Sequence, residues 1–243
     1  MPRFFTDQPI VPGVPLTLGG ENAHHISFSL RMRVGESLVV CSGGKAYDCV
    51  IQAFSASEVT VAPERERPET EPALAVSMMI ALSKGDKLDF CIQKCVELGA
   101  AEIIPFRSEH CIVKGSSVEA KGERRQKIAA EAAKQCGRAV VPTVWPVCSF
   151  DEALKRGQAA DLRLFCSELP DAAKLSDVLH NIERKTIHTV SVFSGPEGGF
   201  AQKEFDKASE MGYNMITLGK RILRCETAPL CVLSALMYAF GEF

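Results

Sequence analysis

The chain has 243 residues, of which 46% are hydrophobic and 24% are charged, and its net charge is −2. This composition is ordinary for a soluble globular protein of one or two domains, and it argues against nucleic-acid binding by bulk charge alone. The sequence holds no apolar run as long as a membrane span, and residues 1–5 lack the character of an export signal. We therefore expect no membrane contact and a cytoplasmic location.

Ten cysteines are scattered along the chain, mostly among apolar neighbours. They form no C-x-x-C pair and no Cys/His cluster of zinc spacing, so we expect no metal site. In a reducing compartment these thiols are expected to fill the core as small hydrophobic side chains. Cys225 differs from the others because it stands between Arg224 and Glu226 in a candidate site.

Residues 1–70 are predicted to form a small β-rich domain. The pattern indicates one short helix at 21–30 and strands at 38–41, 46–54 and 58–62. A barrel of five or six short strands would bury this much β structure. The charged, proline-rich segment 63–72 then predicts a linker and a domain boundary.

From residue 73 to residue 243 strands alternate with helices, which predicts an α/β domain with a mostly parallel sheet. Continuous apolar runs such as 73–82 suit strands that are buried on both faces. Strands are expected at 73–82, 101–106, 162–166, 188–194 and 214–218. Helices are expected at 86–98, 121–136, 175–181, 202–211 and 227–240.

Two loops near the C-terminus carry the candidate site. The strand ending at Ser194 is followed by G-P-E-G-G-F, and the strand ending at Leu218 is followed by G-K-R-I-L-R-C-E-T-A-P. Loops at the carboxyl ends of neighbouring strands form the ligand site of open α/β sheets. The glycine spacing matches neither the dinucleotide fingerprint nor the Walker pattern. A ligand-free strand-to-helix turn is the alternative, and the cationic second loop favours a site.

Together these loops resemble the signature of the RsmE family, the 16S rRNA (uracil1498-N3)-methyltransferases of the SPOUT superfamily. Further matching segments occur along the whole chain. They are Arg3-Phe4-Phe5, His24-His25, Leu30-Arg31, Lys84-Gly85-Asp86-Lys87, Gln93-Lys94, Glu97-Leu98-Gly99 with Pro105, and the segment 131–138. The resemblance therefore covers essentially the entire sequence.

This resemblance implies a fold. Residues 1–70 would form a PUA-like β-barrel RNA-binding domain, and residues 73–243 a SPOUT methyltransferase domain of α/β class with a mostly parallel sheet. It also implies a C-terminal trefoil knot in about residues 190–243 and a homodimer with each active site at the interface. Hydrophobic periodicity cannot reveal a knot, so both expectations come from the resemblance alone.

The resemblance further implies S-adenosyl-L-methionine as methyl donor, S-adenosyl-L-homocysteine as product, and no metal. Backbone amides and carbonyls of the two loops would hold the adenine and ribose of a bent cofactor. The residues expected to line the donor pocket are Leu82, Ser83, Gly195, Glu197, Gly199, Leu218, Gly219, Ile222, Leu223 and Thr227.

The implied acceptor is N3 of a uridine in 16S rRNA, which is protonated and weakly nucleophilic at neutral pH. Arg221 and Arg224 would act catalytically by stabilising the anion that forms across O2 and O4. Glu226 is the only nearby carboxylate that could take the proton. It could instead cap the last helix or pair with Arg224.

Contacts to RNA are expected from six residues: Arg3, His25, Arg31, Lys84, Lys94 and Arg138. In addition, residues 121–138 hold six Lys or Arg against two Glu. A solvated helix face explains this charge run equally well. Likewise, one buried and one exposed histidine would explain His24 and His25 without any RNA.

We therefore predict a methyltransferase that acts on uridine N3 in 16S rRNA of the 30S subunit. Two alternatives stay open: a SPOUT methyltransferase acting on a different RNA, and a non-catalytic RNA-binding factor in ribosome assembly. The intact glycine loops and Arg224 argue against the second alternative.

Overall fold

The computed structural model describes residues 1–111 and 122–243. Within these residues the chain divides into two compact units. The first comprises Met1–Glu71 and Ala133–Val141, and the second comprises Pro72–Ala132 and Pro142–Phe243. The division after Glu71 falls inside the segment that the sequence predicts as a linker. No pattern in the sequence indicated that residues 133–141 group with the first unit.

The first unit contains a curled five-stranded sheet. Its strands are β1 (Arg3–Phe5), β2 (Leu16–Gly19), β3 (Ser37–Ser42), β4 (Lys45–Phe54) and β5 (Glu58–Glu66). They are arranged in the order β1-β3-β4-β5-β2, antiparallel except for the β1–β3 pair. The short helix α1 (Gly20–His24) follows β2 and continues as a π-helical turn over His25–Ser29. Strands β1 and β2 form the two edges of this sheet.

Buried side chains of the first unit lie on both faces of that sheet. On one face Leu38, Val40 and Ile51 are buried together with Phe4 and Ile26. On the other face a smaller cluster is buried, made of Val39, Cys41, Ala46 and Ala139. Consecutive residues of β3 are therefore buried, as expected for a strand that is covered on both faces.

One boundary in the first unit differs from the prediction. Strand β5 continues to Glu66, so residues 63–66 of the predicted linker pair with β4. Pro63 is accommodated because it lies opposite Cys49, next to a register shift after Asp48. A bulge is one of the few places where a sheet tolerates a proline.

The second unit is an α/β structure around a parallel sheet. Its strands are β6 (Ala75–Ala81), β7 (Glu102–Arg107), β8 (Thr143–Val144), β9 (Cys148–Ser149), β10 (Leu162–Cys166), β11 (Ala173–Lys174), β12 (Thr189–Ser194) and β13 (Asn214–Thr217). The order is β11-β13-β10-β12-β6-β7-β8, with β9 also paired to β7, and all of these pairs are parallel. The parallel sheet predicted from the apolar runs is confirmed.

Helices accompany these strands along the chain. They are α2 (Lys87–Glu97), α3 (Gly122–Cys136), α4 (Phe150–Gly157), α5 (Leu175–Asn181), α6 (Gln202–Glu210) and α7 (Ala228–Phe240), of which α3 begins in the second unit and ends in the first. The predicted start of the third helix, Lys121, lies outside the described residues. Helix α7 packs against α2, β6 and β12. None of the helices that the structure describes has the length and apolar character needed to cross a bilayer.

The sheet places the two candidate loops together. Strand β10 lies between β13 and β12, so the chain leaves β12 and β13 at the same edge, on either side of β10. Phe165 and Phe193 are fully buried on these strands and stack with a centroid separation of 5.4 Å. This rigid base fixes the starting points of both loops.

Candidate active site

A cavity of about 730 Å³ opens where the strands end. It is lined by residues 194–200, here called the first loop, by residues 217–225, here called the second loop, and by 166–169 after β10. Lys87, Phe205 and Ala228 complete the lining. The volume falls within the usual range of small-molecule sites, which is roughly 300–1,000 Å³.

Most of the residues predicted for the donor pocket contribute to this cavity. Those in its lining are Gly195, Glu197, Gly199, Leu218, Gly219, Ile222 and Leu223, together with the predicted catalytic residues Arg221 and Arg224. The described lining does not include Leu82, Ser83, Glu226 or Thr227.

Leu82 shows why the end of β6 does not reach the cavity. Its side chain is 1% exposed. Its N–H donates to the carbonyl of Phe106 at 2.9 Å, and its own carbonyl accepts from the Cys111 thiol at 3.2 Å. The backbone N–H and carbonyl of Leu82, which was expected to close the donor pocket, are therefore used within the protein.

Glycines permit the shape of both loops. Gly199 has φ +69° and Gly219 has φ +114°, values that residues with a Cβ rarely adopt. At Gly195 a Cβ would lie 2.8 Å from the ring of Phe200. That ring is itself packed against Phe165, with centroids 4.2 Å apart, and so has little room to move.

Lys87 on α2 connects the two loops, and the sequence prediction gave it no role. Its Nζ lies 3.1 Å from Glu197 Oε1 of the first loop and 3.5 Å from Glu226 Oε2, just after the second loop. The Lys84 backbone N–H also donates to Glu197 Oε1 at 3.1 Å. The predicted Glu226–Arg224 pair is present but loose, with 3.9 Å between Oε1 and Nη1.

The ion cluster shifts the pKa values of its members. The hydrogen bond to Glu197 raises the pKa of Lys87. Burial raises the pKa of Glu197, but hydrogen bonds from its own N–H, the Lys84 N–H and Lys87 outweigh this effect and lower it. The pKa of Glu226 is lowered by hydrogen bonds from its own N–H and from the Cys225 thiol, and by Lys87. At neutral pH this cluster consists of one ammonium group and two carboxylates.

Cys225 donates its thiol hydrogen to Glu226 Oε2 at 3.2 Å. Burial, together with the neighbouring Glu226 carboxylate, raises the pKa of Cys225 to about 11. The thiol therefore stays protonated at neutral pH and is a poor nucleophile.

Arg221 and Arg224 are cationic side chains in the cavity wall that remain available to a ligand. Arg224 is 82% exposed, and an exposed ion pair as long as that with Glu226 holds it only weakly. Arg221 is exposed and forms no ion pair with a described residue.

Ser194 is a second residue that the sequence prediction left out. It is the last residue of β12, it lines the cavity, and it is 1% exposed. Its Oγ has no hydrogen-bond partner among the described residues. A buried hydroxyl without a partner is costly, so a ligand in the cavity that bonds to it would be stabilised.

Two of the predicted RNA contacts are corrected by the first unit. Arg138 is buried and binds Glu71, with 2.6 Å between Nη2 and Oε2. Arg3 is also buried, and its Nη1 donates to the Arg138 carbonyl at 3.1 Å and to Cys41 Sγ at 3.2 Å. Both guanidinium groups bind partners inside this unit, because a buried cation needs such partners.

The other predicted RNA residues differ in exposure. In the first unit, Arg31 is exposed, whereas His25 is half-buried with its ring against Phe4. In the second unit, Lys84 is exposed, and Lys94 binds Glu97 on its own helix with 2.8 Å between Nζ and Oε1.

The charge run at 121–138 is also partly used inside the protein. Arg124 lies 2.9 Å from Asp89 of α2, and the buried Arg125 approaches the same carboxylate at 4.0 Å.

Across the residues that the structure describes, no three His, Cys, Asp or Glu side chains form a group that could hold a metal ion.

Comparison with known proteins identifies the family. A family model described as an RNA methyltransferase domain matches residues 70–237, and one described as an RNA methyltransferase PUA domain matches residues 18–64. The ribosomal RNA small subunit methyltransferase E of Bacillus subtilis (strain 168) is 35% identical, over 98% of this chain and 96% of its own length. This chain belongs to the ribosomal RNA small subunit methyltransferase E family.

Solved structures of methyltransferase E proteins and their relatives share the fold. The Neisseria gonorrhoeae methyltransferase E bound to S-adenosyl methionine superposes with a TM-score of 0.87 at 33% identity, covering 98% of this chain and 97% of that one. A Legionella pneumophila structure with bound S-adenosylmethionine gives a TM-score of 0.85 at 29% identity, covering 98% of this chain and 97% of that one.

Proposed function

We propose that this chain is an S-adenosylmethionine-dependent methyltransferase that methylates N3 of a uridine, uracil1498, in 16S rRNA of the small ribosomal subunit. The observation that carries the proposal is the cavity between the two glycine loops, with the exposed Arg221 and the loosely paired Arg224 in its wall. Membership of a family whose Neisseria gonorrhoeae member binds S-adenosylmethionine supports it.

The cavity fits this cofactor in three respects. Its volume is that of a site for a ligand of this size, its wall exposes the bare backbone of Gly195 and Gly219, and the hydroxyl of Ser194, one of the lining residues, has no hydrogen-bond partner among the described residues. The loop residues that would hold the cofactor are Ser194, Gly195, Gly199, Leu218, Gly219, Ile222 and Leu223. When bound, S-adenosylmethionine would supply a methyl group that is attached to a sulfonium sulfur. That sulfur is a leaving group that needs no protonation by an acid.

The protein's own contribution to transfer is positioning and charge. Arg221 and Arg224 donate hydrogen bonds to the uracil oxygens and so favour loss of the N3 proton, because negative charge then spreads over O2 and O4. Their guanidinium groups suit this task since they remain protonated and planar.

Glu226 acts as a positioning residue in this mechanism. Its lowered pKa makes it a weak base near neutral pH, and it is held by Lys87 and Cys225. The N3 proton is then lost to solvent, and the methylation rate rises with pH through the neutral range. We expect Glu226→Gln to lower the rate but keep this rise, measured as a pH–rate profile. Loss of the rise in Glu226→Gln would make Glu226 the base.

Methyl transfer to ribosomal particles tests the function. Purified protein is incubated with radiolabelled S-adenosylmethionine and either 30S subunits that lack the modification, free 16S rRNA, or 50S subunits as control. We expect label in 16S rRNA only. Label in another RNA would keep the chemistry and reject the target. Cofactor binding without any label would favour the non-catalytic assembly factor.

The proposal includes a trefoil knot in residues 190–243 and a homodimer. We expect the dimer to cover Ile222 and Tyr238, large side chains that are 78% and 80% exposed in the single chain. We expect analytical ultracentrifugation of the wild type to give twice the monomer mass. Tyr238→Asp should give a smaller mass than the control variant, Phe90→Asp on α2. A wild-type protein of monomer mass would contradict the dimer.

A further inference from the structure

Three unusual features coincide in residues 24–34 of the first unit. Residues His25–Ser29 form a π-helical turn, a rare form that is common at functional sites. Arg31 has φ +52°, and it is the one described residue other than glycine with a positive φ. Large apolar side chains are exposed nearby: Phe28 by 67%, Leu30 by 42% and Val34 by 60%.

The π-helical turn presents an aromatic pair to solvent. His24 and Phe28 are four residues apart, and their rings lie 5.0 Å apart between centroids with 32° between planes. Ala23 and Ile26 are buried and anchor the opposite side of the helix. The outward direction of the two rings is therefore fixed by packing.

Two arginines follow this pair in the chain. Arg31 and Arg33 are exposed, and neither forms an ion pair with a described residue. Glu36 accepts a hydrogen bond from the backbone N–H of Arg33 at 3.1 Å, which leaves the guanidinium itself uncommitted. The left-handed backbone of Arg31 is a strained conformation of the kind that clusters at binding sites.

We propose that His24 and Phe28 form a stacking site for an unpaired nucleobase of the RNA substrate, with Arg31 and Arg33 binding the adjoining phosphates. Exposed aromatic rings, followed in the chain by exposed arginines that form no ion pair with a described residue, match the chemistry of single-stranded RNA, whose bases stack on such rings. This inference rests on the proposed function, since it assigns part of the RNA substrate to the first unit. It also replaces the half-buried His25 with His24 as the contacting histidine.

Equilibrium binding to RNA tests the site. The full chain is titrated into labelled 16S rRNA and into 30S subunits, without S-adenosylmethionine, so the result does not depend on methyl transfer. We expect Phe28→Ala to weaken binding by about fivefold to a hundredfold, the range for loss of one stacked base. Phe28→Trp should retain binding, and Phe28→Leu should lose it as Phe28→Ala does.

The matched control is Phe54→Ala on β4, an aromatic residue of the same unit that is 37% exposed. It should bind RNA as the wild type does. Unchanged affinity of Phe28→Ala would overturn the stacking site. Binding retained by Phe28→Leu but lost by Phe28→Ala would overturn it too, since this pattern indicates an apolar contact with a ribosomal protein. Suppose that Phe28→Ala and Phe28→Leu lose RNA binding, Phe28→Trp retains it, and no methyl transfer is detected. This outcome would reject the proposed function and support the stacking site.

Discussion

At the scale of single residues, a hydroxyl and an ammonium group distinguish this site from a plain glycine turn. Ser194 and Ser191 lie on the same strand and are both buried. Of the two, only the Ser191 Oγ has a hydrogen-bond partner among the described residues, the Gly157 carbonyl at 3.0 Å. The two serines therefore separate a hydroxyl that serves the fold from one that we expect a ligand to engage.

Replacing Ser194 by alanine should weaken cofactor binding without destabilising the free protein. We expect the Kd for S-adenosylmethionine to rise about fivefold in calorimetry, the effect of one hydrogen bond of roughly 1 kcal/mol. Ser191→Ala should do the reverse, lowering the unfolding free energy by about 1 kcal/mol while leaving the Kd unchanged. A lower melting temperature with unchanged Kd for Ser194→Ala would assign that hydroxyl to the fold.

Lys87 should matter for activity more than its place on a helix surface suggests. Lys87→Met leaves Glu197 and Glu226 without their shared cation, so both loops should shift. We expect kcat/KM for methyl transfer to fall by up to about a hundredfold, the typical effect of a small misplacement of reacting groups. The measurement is a steady-state assay on 30S subunits.

The control for this change is Lys94→Met on the same helix. Lys94 binds only the neighbouring Glu97 in the described structure, so its loss should leave the affinity for S-adenosylmethionine unchanged. Equal affinities of Lys87→Met, Lys94→Met and the wild type, with equal kcat, would show that the loops keep their positions without Lys87.

At the scale of elements, helix α6 binds the segment after β7, and that segment contacts the first loop. Glu204 is buried in its first turn, where its carboxylate accepts hydrogen bonds from Ser108 Oγ, the Glu109 N–H and the Ala201 N–H. His110, next in the chain, lies 3.2 Å through Nδ1 from the Gly198 carbonyl. The carboxylate thus ties the segment after β7 to the start of α6.

Glu204→Ala should destabilise the protein because it removes a carboxylate that satisfies three donors. We expect the free energy of unfolding in urea to fall by about 3 kcal/mol, since hydrogen bonds to a charged group contribute roughly 1.5–3 kcal/mol. Glu210→Ala at the exposed end of α6 is the control and should stay within about 0.5 kcal/mol of the wild type. Similar stabilities of the two variants would show that α6 holds without Glu204.

Elements with a clear apolar pattern could be predicted from the sequence, and strands of two residues could not. The strand at 162–166 and the helix at 175–181 were predicted at their observed bounds, because apolar period and flanking residues agree there. The two-residue strands β8, β9 and β11 have no period to detect. Helix α4 was missed although Ser149 and Glu152 form a capping box, a signal that was present in the sequence.

At the scale of the whole molecule, the sequence predicted the two loops of the candidate site but not the contacts that hold them in place. The glycine loops and their arginines carry local signals, so their place at one sheet edge followed from the strand pattern. Lys87 is 110 residues from Glu197, and a contact over that distance exists only in the folded chain. Arg138 was misjudged for the same reason, because its partner Glu71 is 67 residues away.

We propose that this cavity directs a methyl group to N3 of a uridine. The most direct measurement is the identity of the methylated nucleoside, obtained by digesting 16S rRNA from treated 30S subunits and comparing it with a 3-methyluridine standard by mass spectrometry. We expect one methyl group, on N3 of uracil1498, and none when Arg224→Met replaces the wild type. A methyl group on another atom or another nucleotide, or full transfer by Arg224→Met, would contradict the account.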